Sequence, residues 1–243
     1  MDNDRYLNSR EIQSRLIHAV NYNNWLFSHV EKYAGSRILE VGCALGNFTK
    51  KIINRDFVCA IDIEEEYVEA IKSFFKDRDS FKAVKCDISL PEALTLKGSR
   101  FDTIICFNVL EHIKNDDIAL KNMYQLLESR GSLCLIVPAF QSIFGEMDKT
   151  DNHCLRYSKK LLLKKAETAG FQVLSAKYIN ALGFLSWWFN GKVLKRKYIP
   201  FRQMLIYDKI IPLVTAIERL VSLPFGQSLV LILRKRDKLK NYV

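Results

Sequence analysis

The stretch that most constrains this chain is Arg37 to Thr49, RILEVGCALGNFT. It reads as a short apolar strand on Ile38, Leu39 and Val41, a tight loop holding Gly42 and Gly46, and a helix from about Asn47. Glycine in such a loop tolerates positive φ and lets a ligand lie against bare backbone. The helix start that follows offers unpaired N–H groups and a partial positive charge. Strand, glycine loop and helix start together make a small-molecule site at the carboxyl end of a parallel sheet.

The spacing narrows the ligand. A dinucleotide fingerprint is G-x-G-x-x-G, whereas this loop is Glu40-x-Gly42-x-Ala44-x-Gly46, with an acid in front and no G-x-G. No G-x-x-x-x-G-K-[ST] occurs in the chain, which excludes a P-loop. Asp62 closes a second apolar strand, FVCAID, at about the twenty-residue distance from which an acid accepts hydrogen bonds from ribose hydroxyls. Asp87 closes a third, FKAVKCD, and a fourth, FDTIICF, ends at Phe107-Asn108.

From Gly35 the rhythm is strand, helix, strand. Strands are predicted near 37–42, 57–62, 81–86, 102–107 and 131–137, and helices near 46–54, 65–76, 115–129 and 158–169. Such alternation means βαβ units, right-handed crossovers and a parallel sheet with helices on both faces. Ser158 is placed as the N-cap of the last of these helices and Gly170 as its C′ residue. FQVLSAKYI reads as a sixth strand and SLVLILRK as a seventh. Before the first strand, Ile12, Leu16, Ile17, Val20, Trp25, Leu26 and Val30 fall at helical spacing, predicting a helix over 10–34.

These residues resemble the class I S-adenosylmethionine-dependent methyltransferases, the small-molecule, type 11/12-like bacterial branch. The family loop is acid-x-G-x-G-x-G, from which this chain departs once, at Ala44. The resemblance covers about residues 20 to 180 and returns at 226 to 235. It implies a Rossmann-like α/β fold, a seven-stranded, mostly parallel sheet whose last strand runs antiparallel between the fifth and sixth. It implies S-adenosyl-L-methionine as cofactor, with Glu40 fixing the loop and Gly42, Ala44 and Gly46 against the methionine part. Asp62 with Ile63 would take the ribose, Asp87 with Ile88 the adenine, and Asn108 the sulfonium side. Tyr22, in Tyr22-Asn23-Asn24-Trp25, would help an N-terminal helix close over the cofactor.

Catalytic groups are expected on loops after the strands, where this architecture leaves a crevice. One is Asn108-Val109-Leu110-Glu111-His112-Ile113. The other runs from Pro138-Ala139-Phe140 through Glu146, Asp148, Asp151 and His153 to Arg156 and Tyr157. Relatives carry a comparable H-x-x-R-Y, so His153, His112 and Tyr157 are the catalytic candidates. Histidine suits general-base work near neutral pH, but a histidine that merely packs its loop reads the same way. Carbon, oxygen and nitrogen acceptors also look alike from sequence.

The remaining feature is an insertion, 181–226, between the last two strands. An apolar aromatic block, Leu182 to Phe189, leads into a basic one. From Lys192 to Lys209 six basic residues stand against one acid. By position this is a lid, and the chain is expected to divide into a helical cap (1–34), a cofactor-binding core (35–180 and 227–236) and the lid. Tryptophans beside basic residues suit a lipid-like acceptor or an anionic membrane surface, although aromatics packing their own core would look similar.

Composition bears on the function classes left. The net charge of +10 alone leaves an RNA-modifying enzyme open. The Pro-Pro-aromatic run typical of enzymes that methylate bases in nucleic acid is absent after the fourth strand, which makes nucleic acid the weaker partner. A nicotinamide-dependent oxidoreductase and a non-catalytic protein on the same fold stay open as well. Six widely spaced cysteines without C-x-x-C argue against disulfides and a cysteine zinc site, and no metal is expected. The polar N-terminus, MDNDRYLNSR, shows no leader, and a cytoplasmic protein, peripheral at a membrane at most, is expected.

Overall fold

The computed structural model describes residues 9–221 and 223–237. The N-terminal reading, residues 1–10, falls mostly outside them. The strands are β1 (Arg37–Val41), β2 (Phe57–Asp62), β3 (Phe81–Lys85), β4 (Phe101–Phe107), β5 (Leu127–Pro138), β6 (Phe171–Ile179) and β7 (Ser228–Lys235). They form one sheet in the order β3-β2-β1-β4-β5-β7-β6. Neighbours from β3 to β5 are parallel, while β7 runs antiparallel to both β5 and β6. The predicted place and direction of the seventh strand are therefore found.

Central strands are apolar on both faces. In β4 only Asp102 escapes full burial, as a strand covered by helices on both sides requires. One face packs Leu39, Ile104, Leu133 and Leu231 with α5 (Asp116–Leu126) and α7 (Lys159–Thr168). The other packs Ile38, Ile105, Cys134 and Ile232 with Trp25, Leu26 and Val30 of the N-terminal segment and with Ile211 and Val214 of α9 (Phe201–Leu220). Ser158 caps α7 as expected, its Oγ accepting the Leu161 N–H at 3.1 Å. Gly170 follows that helix at φ +101°.

Three local predictions are corrected. The helix expected over 10–34 is broken into α1 (Ser9–Leu16), α2 (Val20–Ser28) and a 3-10 turn at Glu31–Tyr33. Asn23 Nδ2 donates to the Leu16 carbonyl at 2.9 Å, so a side chain ends the first helix by taking one of its free carbonyls. The helix expected over 46–54 shrinks to α3 (Thr49–Ile52). The helix expected to reach 129 ends at Leu126, because Leu127 pairs with Phe101 and an irregularity then returns the chain to register at Ser132.

The insertion contributes α8 (Ala181–Trp188), a wide turn at Phe189–Val193, and α9. Asp208, on α9, accepts the Tyr22 N–H at 2.8 Å and so ties the insertion to α2. Among the described residues no helix is long and apolar enough to cross a membrane.

Candidate active site at the carboxyl ends of the strands

Between β1 and α3 the backbone enters the left-handed region three times, at Gly42 (φ +76°), Ala44 (φ +43°) and Gly46 (φ +80°). A glycine does so freely, while an alanine gives up about 1–2 kcal/mol. Ala44 thus holds a left-handed backbone that a glycine would take more freely. The loop is pinned by Gly42 and Cys43, whose N–H groups donate to the Ile61 carbonyl at 2.8 and 3.1 Å. A Cβ on Gly42 would stand 2.2 Å from Val109 Cγ2, so this loop packs directly on the one after β4.

Glu40, at the inner end of β1, is buried and accepts the Thr49 Oγ1 proton at 2.5 Å, tying β1 to α3. Burial pushes its carboxyl up to about 8, with the Thr49 bond opposing. Asp62 accepts the Ala44 N–H at 2.9 Å and the Glu64 N–H at 3.1 Å, one on each oxygen. A carboxylate has about four lone-pair sites, so half its capacity remains. Asp87 binds the Ser89 N–H and hydroxyl at 2.8 and 2.7 Å through one oxygen, Oδ1.

Of the other predicted cofactor residues, Ile63 is exposed beside Asp62. Asn108 is exposed in left-handed backbone after β4, its N–H donating to the Ile136 carbonyl at 2.8 Å. Ile88 differs from expectation: its side chain is packed in the core, leaving only backbone for a ligand. Tyr22 differs too. Its phenol engages Asn180 and Ser228, at the ends of β6 and β7, and burial raises its pKa. It therefore stands over the β5–β7–β6 half of the sheet.

That second half carries its own polar set. Arg156 is 2 % exposed. Its Nε donates to Asp148 Oδ1 at 2.6 Å, its Nη1 to the Ala139 carbonyl at 3.2 Å, and its guanidinium lies 4.6 Å from the Trp187 ring centroid. Asp148 also accepts the Gly145 N–H at 2.9 Å and Trp187 Nε1–H at 3.3 Å. Burial opposes its ionisation, yet His153 and Arg156 hold its carboxyl below the usual range.

His153 sits between three acids. Nδ1 is 3.0 Å from Asp148 Oδ1, while Nε2 is 3.2 Å from Asp151 Oδ2 and 4.0 Å from Glu111 Oε1. Burial alone would lower its pKa, but the Asp148 and Asp151 bonds and the Glu111 charge push it up to about 9. The His112 ring, exposed at one side, meets it edge to face, centroids 4.8 Å apart, and partial desolvation followed by the His153 charge lowers its pKa. Both predicted histidines are therefore brought together. Tyr157 is not with them: it is buried, its hydroxyl donating to Asp116 Oδ2 at 2.7 Å and contacting the Leu110 carbonyl at 3.2 Å. That is a bracing position, which corrects the catalytic expectation for Tyr157.

The groups that sequence reasoning missed are the partners of these residues, Asp116, Asn180 and Glu111. Asn180 is fully buried, and Tyr207 donates its hydroxyl to the Asn180 amide oxygen. Only Glu111 carried a local signal, as the neighbour of His112.

Residues 39–133 match a family described as a methyltransferase domain. An uncharacterized protein of Methanocaldococcus jannaschii is 30% identical over 149 residues, covering 61% of this chain and 59% of that protein. The ubiquinone biosynthesis O-methyltransferase of Coxiella burnetii is 29% identical over 101 residues, 41% of this chain and 42% of the enzyme. A polyketide synthase of Preussia isomera is 32% identical over 124 residues, which is 46% of this chain and 5% of the synthase. The chain thus spans less than two thirds of the length of these curated relatives. Among solved structures, the [4+2]-cyclase SpnF superposes with a TM-score of 0.60 at 15% identity, covering 90% of this chain and 82% of the other. The N-methyltransferase NodS of Bradyrhizobium japonicum, in complex with S-adenosyl-L-homocysteine, gives 0.54 at 14%, covering 96% and 89%. Identity at that level establishes a shared fold and no more.

Proposed function

We propose that the chain is a class I S-adenosylmethionine-dependent methyltransferase and that it transfers a methyl group to a small, lipid-like acceptor by in-line displacement. One observation carries the reading: the ends of β1 to β4 bring the left-handed Gly42-Ala44-Gly46 loop, Asp62, Asp87 and Asn108 to one edge of one sheet. S-adenosyl-L-methionine supplies, when bound, a methyl group already activated on a sulfonium. The residues suit it by chemistry. Bare backbone at Gly42 and Gly46 admits the amino-acid end, the free lone pairs of Asp62 suit ribose hydroxyls, and Asp87 suits the adenine edge. Glu40 and Thr49 set the loop from behind.

Methyl transfer asks mainly for position. Holding two groups at near-attack distance supplies roughly 7–11 kcal/mol. In this reading acceptor binding falls to the β5–β7–β6 half, where Tyr22, Arg156 and Trp187 stand. Taking a proton from an acceptor hydroxyl or amine falls to His112, whose pKa is lowered, while His153, held charged by Asp148 and Asp151, can only donate one. The discriminating experiment is incubation with methyl-labelled cofactor and an extract of the source cell. A labelled low-mass, organic-soluble product is expected. Binding of S-adenosyl-L-homocysteine with no label transferred to anything would leave a non-catalytic protein on this fold.

The lipid-like class rests on the insertion. On α9, Ile206, Ile210, Leu213, Ile217 and Leu220 recur at steps of four and three, a single stripe, and are 36–87 % exposed. Leu182 and Leu185 on α8 and Phe189 at the start of the turn after it do the same. A soluble surface rarely carries so continuous an apolar stripe without a use. Lys192, Arg202 and Lys209 are exposed on the same segment. The pairing of apolar stripe and basic charge suits an anionic lipid surface, where each basic residue contributes about 1 kcal/mol. Trp187, expected in that contact, is instead turned inward onto Arg156. The contact falls to Trp188 and Phe189, which are about half exposed.

A further inference from the structure

Glu111 is the most anomalous side chain in the described structure. It is 0 % exposed, and neither carboxylate oxygen has a hydrogen-bond partner. Leaving a buried acceptor unmatched is destabilising, and a buried charge more so. Its nearest cationic atom is His153 Nε2, 4.0 Å away. Folding nonetheless holds it there: the Cys154 N–H donates to the Glu111 carbonyl at 2.7 Å, locking the loop after β4 to the loop after β5.

What surrounds Glu111 is a set of ligand atoms. One atom each from Glu111, His112 and His153 lie within 4.8 Å of one another. Asp151 Oδ2 lies 3.2 Å from the same His153 nitrogen that faces Glu111, at the border of this group. The far side of His153 is equally specific. Nδ1 contacts Asp148 Oδ1 at 3.0 Å, and Asp148 is itself held by Arg156 and Gly145. A metal-binding histidine is characteristically oriented in this way, its second nitrogen bonded to a buried carboxylate that fixes tautomer and ring angle. A merely structural histidine at a loop surface needs no such backing.

We propose that Glu111, His112 and His153 bind a divalent first-row transition cation, with Asp148 as the group that orients His153. Two imidazoles with carboxylate suit Zn²⁺, Co²⁺, Mn²⁺ or Fe²⁺ better than an all-oxygen cation such as Mg²⁺. The exposed position of His112 leaves a way in from solvent. Cysteine spacing gave no hint of this site because Cys154, the one cysteine nearby, bonds through its backbone and points its sulfur at the His112 carbonyl, 3.6 Å away. The ligands come from two loops about forty residues apart. The proposal shares its location with the acceptor half described above but does not depend on methyl transfer.

The test uses the untagged full chain, treated with chelator and dialysed, in two titrations. Zn²⁺ is followed by calorimetry and Co²⁺ by visible absorption. One ion per chain is expected, with Co²⁺ bands typical of a nitrogen- and oxygen-ligated site. Glu111→Gln and His153→Ala should weaken Zn²⁺ binding at least a hundredfold, and Asp148→Asn by roughly 10–100-fold, as loss of an orienting group does. His112→Ala, at an exposed side chain, keeps the measurement interpretable if a buried variant fails to fold, and should weaken binding at least tenfold. His18→Ala should not change it. Absence of saturable binding in the wild type, or an affinity that survives both His112→Ala and His153→Ala, overturns the proposal. Calorimetry with S-adenosyl-L-homocysteine on the same metal-free protein reports the cofactor site separately, so failure of one reading leaves the other standing.

Discussion

Replacing Glu40 by Gln should flatten the pH dependence of this protein's stability. Glu40 is 2 % exposed, and its burial shifts its pKa from the ordinary 4.5 to about 8. A carboxyl raised in the folded state stays protonated there while the unfolded chain ionises. Its stabilising contribution is therefore complete below about pH 4.5 and drains away as pH rises through about 8. Each pH unit in that interval is worth about 1.4 kcal/mol, so the wild type should lose about 3 kcal/mol from this group between pH 5.5 and 8. For a chain of this size that corresponds to roughly 6–12 °C in melting temperature. Glu111 and His153, raised to about 7 and about 9, also make stability depend on pH, but they are common to both proteins and cancel in the difference. The assay is thermal unfolding of cofactor-free wild type and Glu40→Gln at pH 5.5 and 8. An uncharged amide of the same shape replaces the protonated acid, so any offset it introduces is the same at both pH values. The stability difference should therefore move by about 3 kcal/mol in the variant's favour from the lower pH to the higher. Parallel curves would show that Glu40 is ionised in the fold and that the burial argument is wrong.

Gly42→Ala forces a side chain into left-handed backbone and into Val109 Cγ2 at 2.2 Å; calorimetry should show S-adenosyl-L-homocysteine binding weakened more than about tenfold, partly restored by adding Val109→Ala, which removes the clash but not the φ strain of about 1–2 kcal/mol. Tyr157→Phe should lower unfolding free energy by about 1–3 kcal/mol by leaving Asp116 short of its buried donor, with turnover of the identified acceptor little changed; a hundredfold drop in turnover at unchanged stability would restore Tyr157 as a catalytic group. The wild type should sediment with anionic vesicles at low salt and release at high salt, and Ile206→Ser with Leu213→Ser should sediment less; a wild type that stays in the supernatant ends the membrane reading.

How much of this was legible in the sequence depends on range. The parallel core was legible because each strand and the turn after it are local signals: apolar runs closed by Asp62 and by Asn108 announce both the strand and its end. The direction of β7 was not a local signal and came from resemblance alone. Helix boundaries failed where a distant or polar side chain decided them, as at Leu16, whose carbonyl Asn23 takes. The glycine loop was readable even at Ala44, whose backbone takes the same left-handed turn as Gly42 and Gly46. Tyr157 was misread because a motif tells which residues cluster, but not which of them turns inward, and the Ile88 side chain turns into the core in the same unannounced way. Trp187 shows the same limit, because its partner Arg156 lies about thirty residues away. The isolation of Glu111 is a statement about what fails to surround it, and only the folded chain can make it.

The measurement that bears most directly on the account is calorimetric titration of S-adenosyl-L-homocysteine into wild type and Asp62→Ala. The account predicts one molecule bound per wild-type chain, no heat from NAD, and an affinity roughly ten- to a hundredfold lower in the variant, the value of lost charge-assisted hydrogen bonds to ribose of about 1.5–3 kcal/mol. Absence of saturable binding in the wild type, or equal affinity in a folded Asp62→Ala, would contradict it.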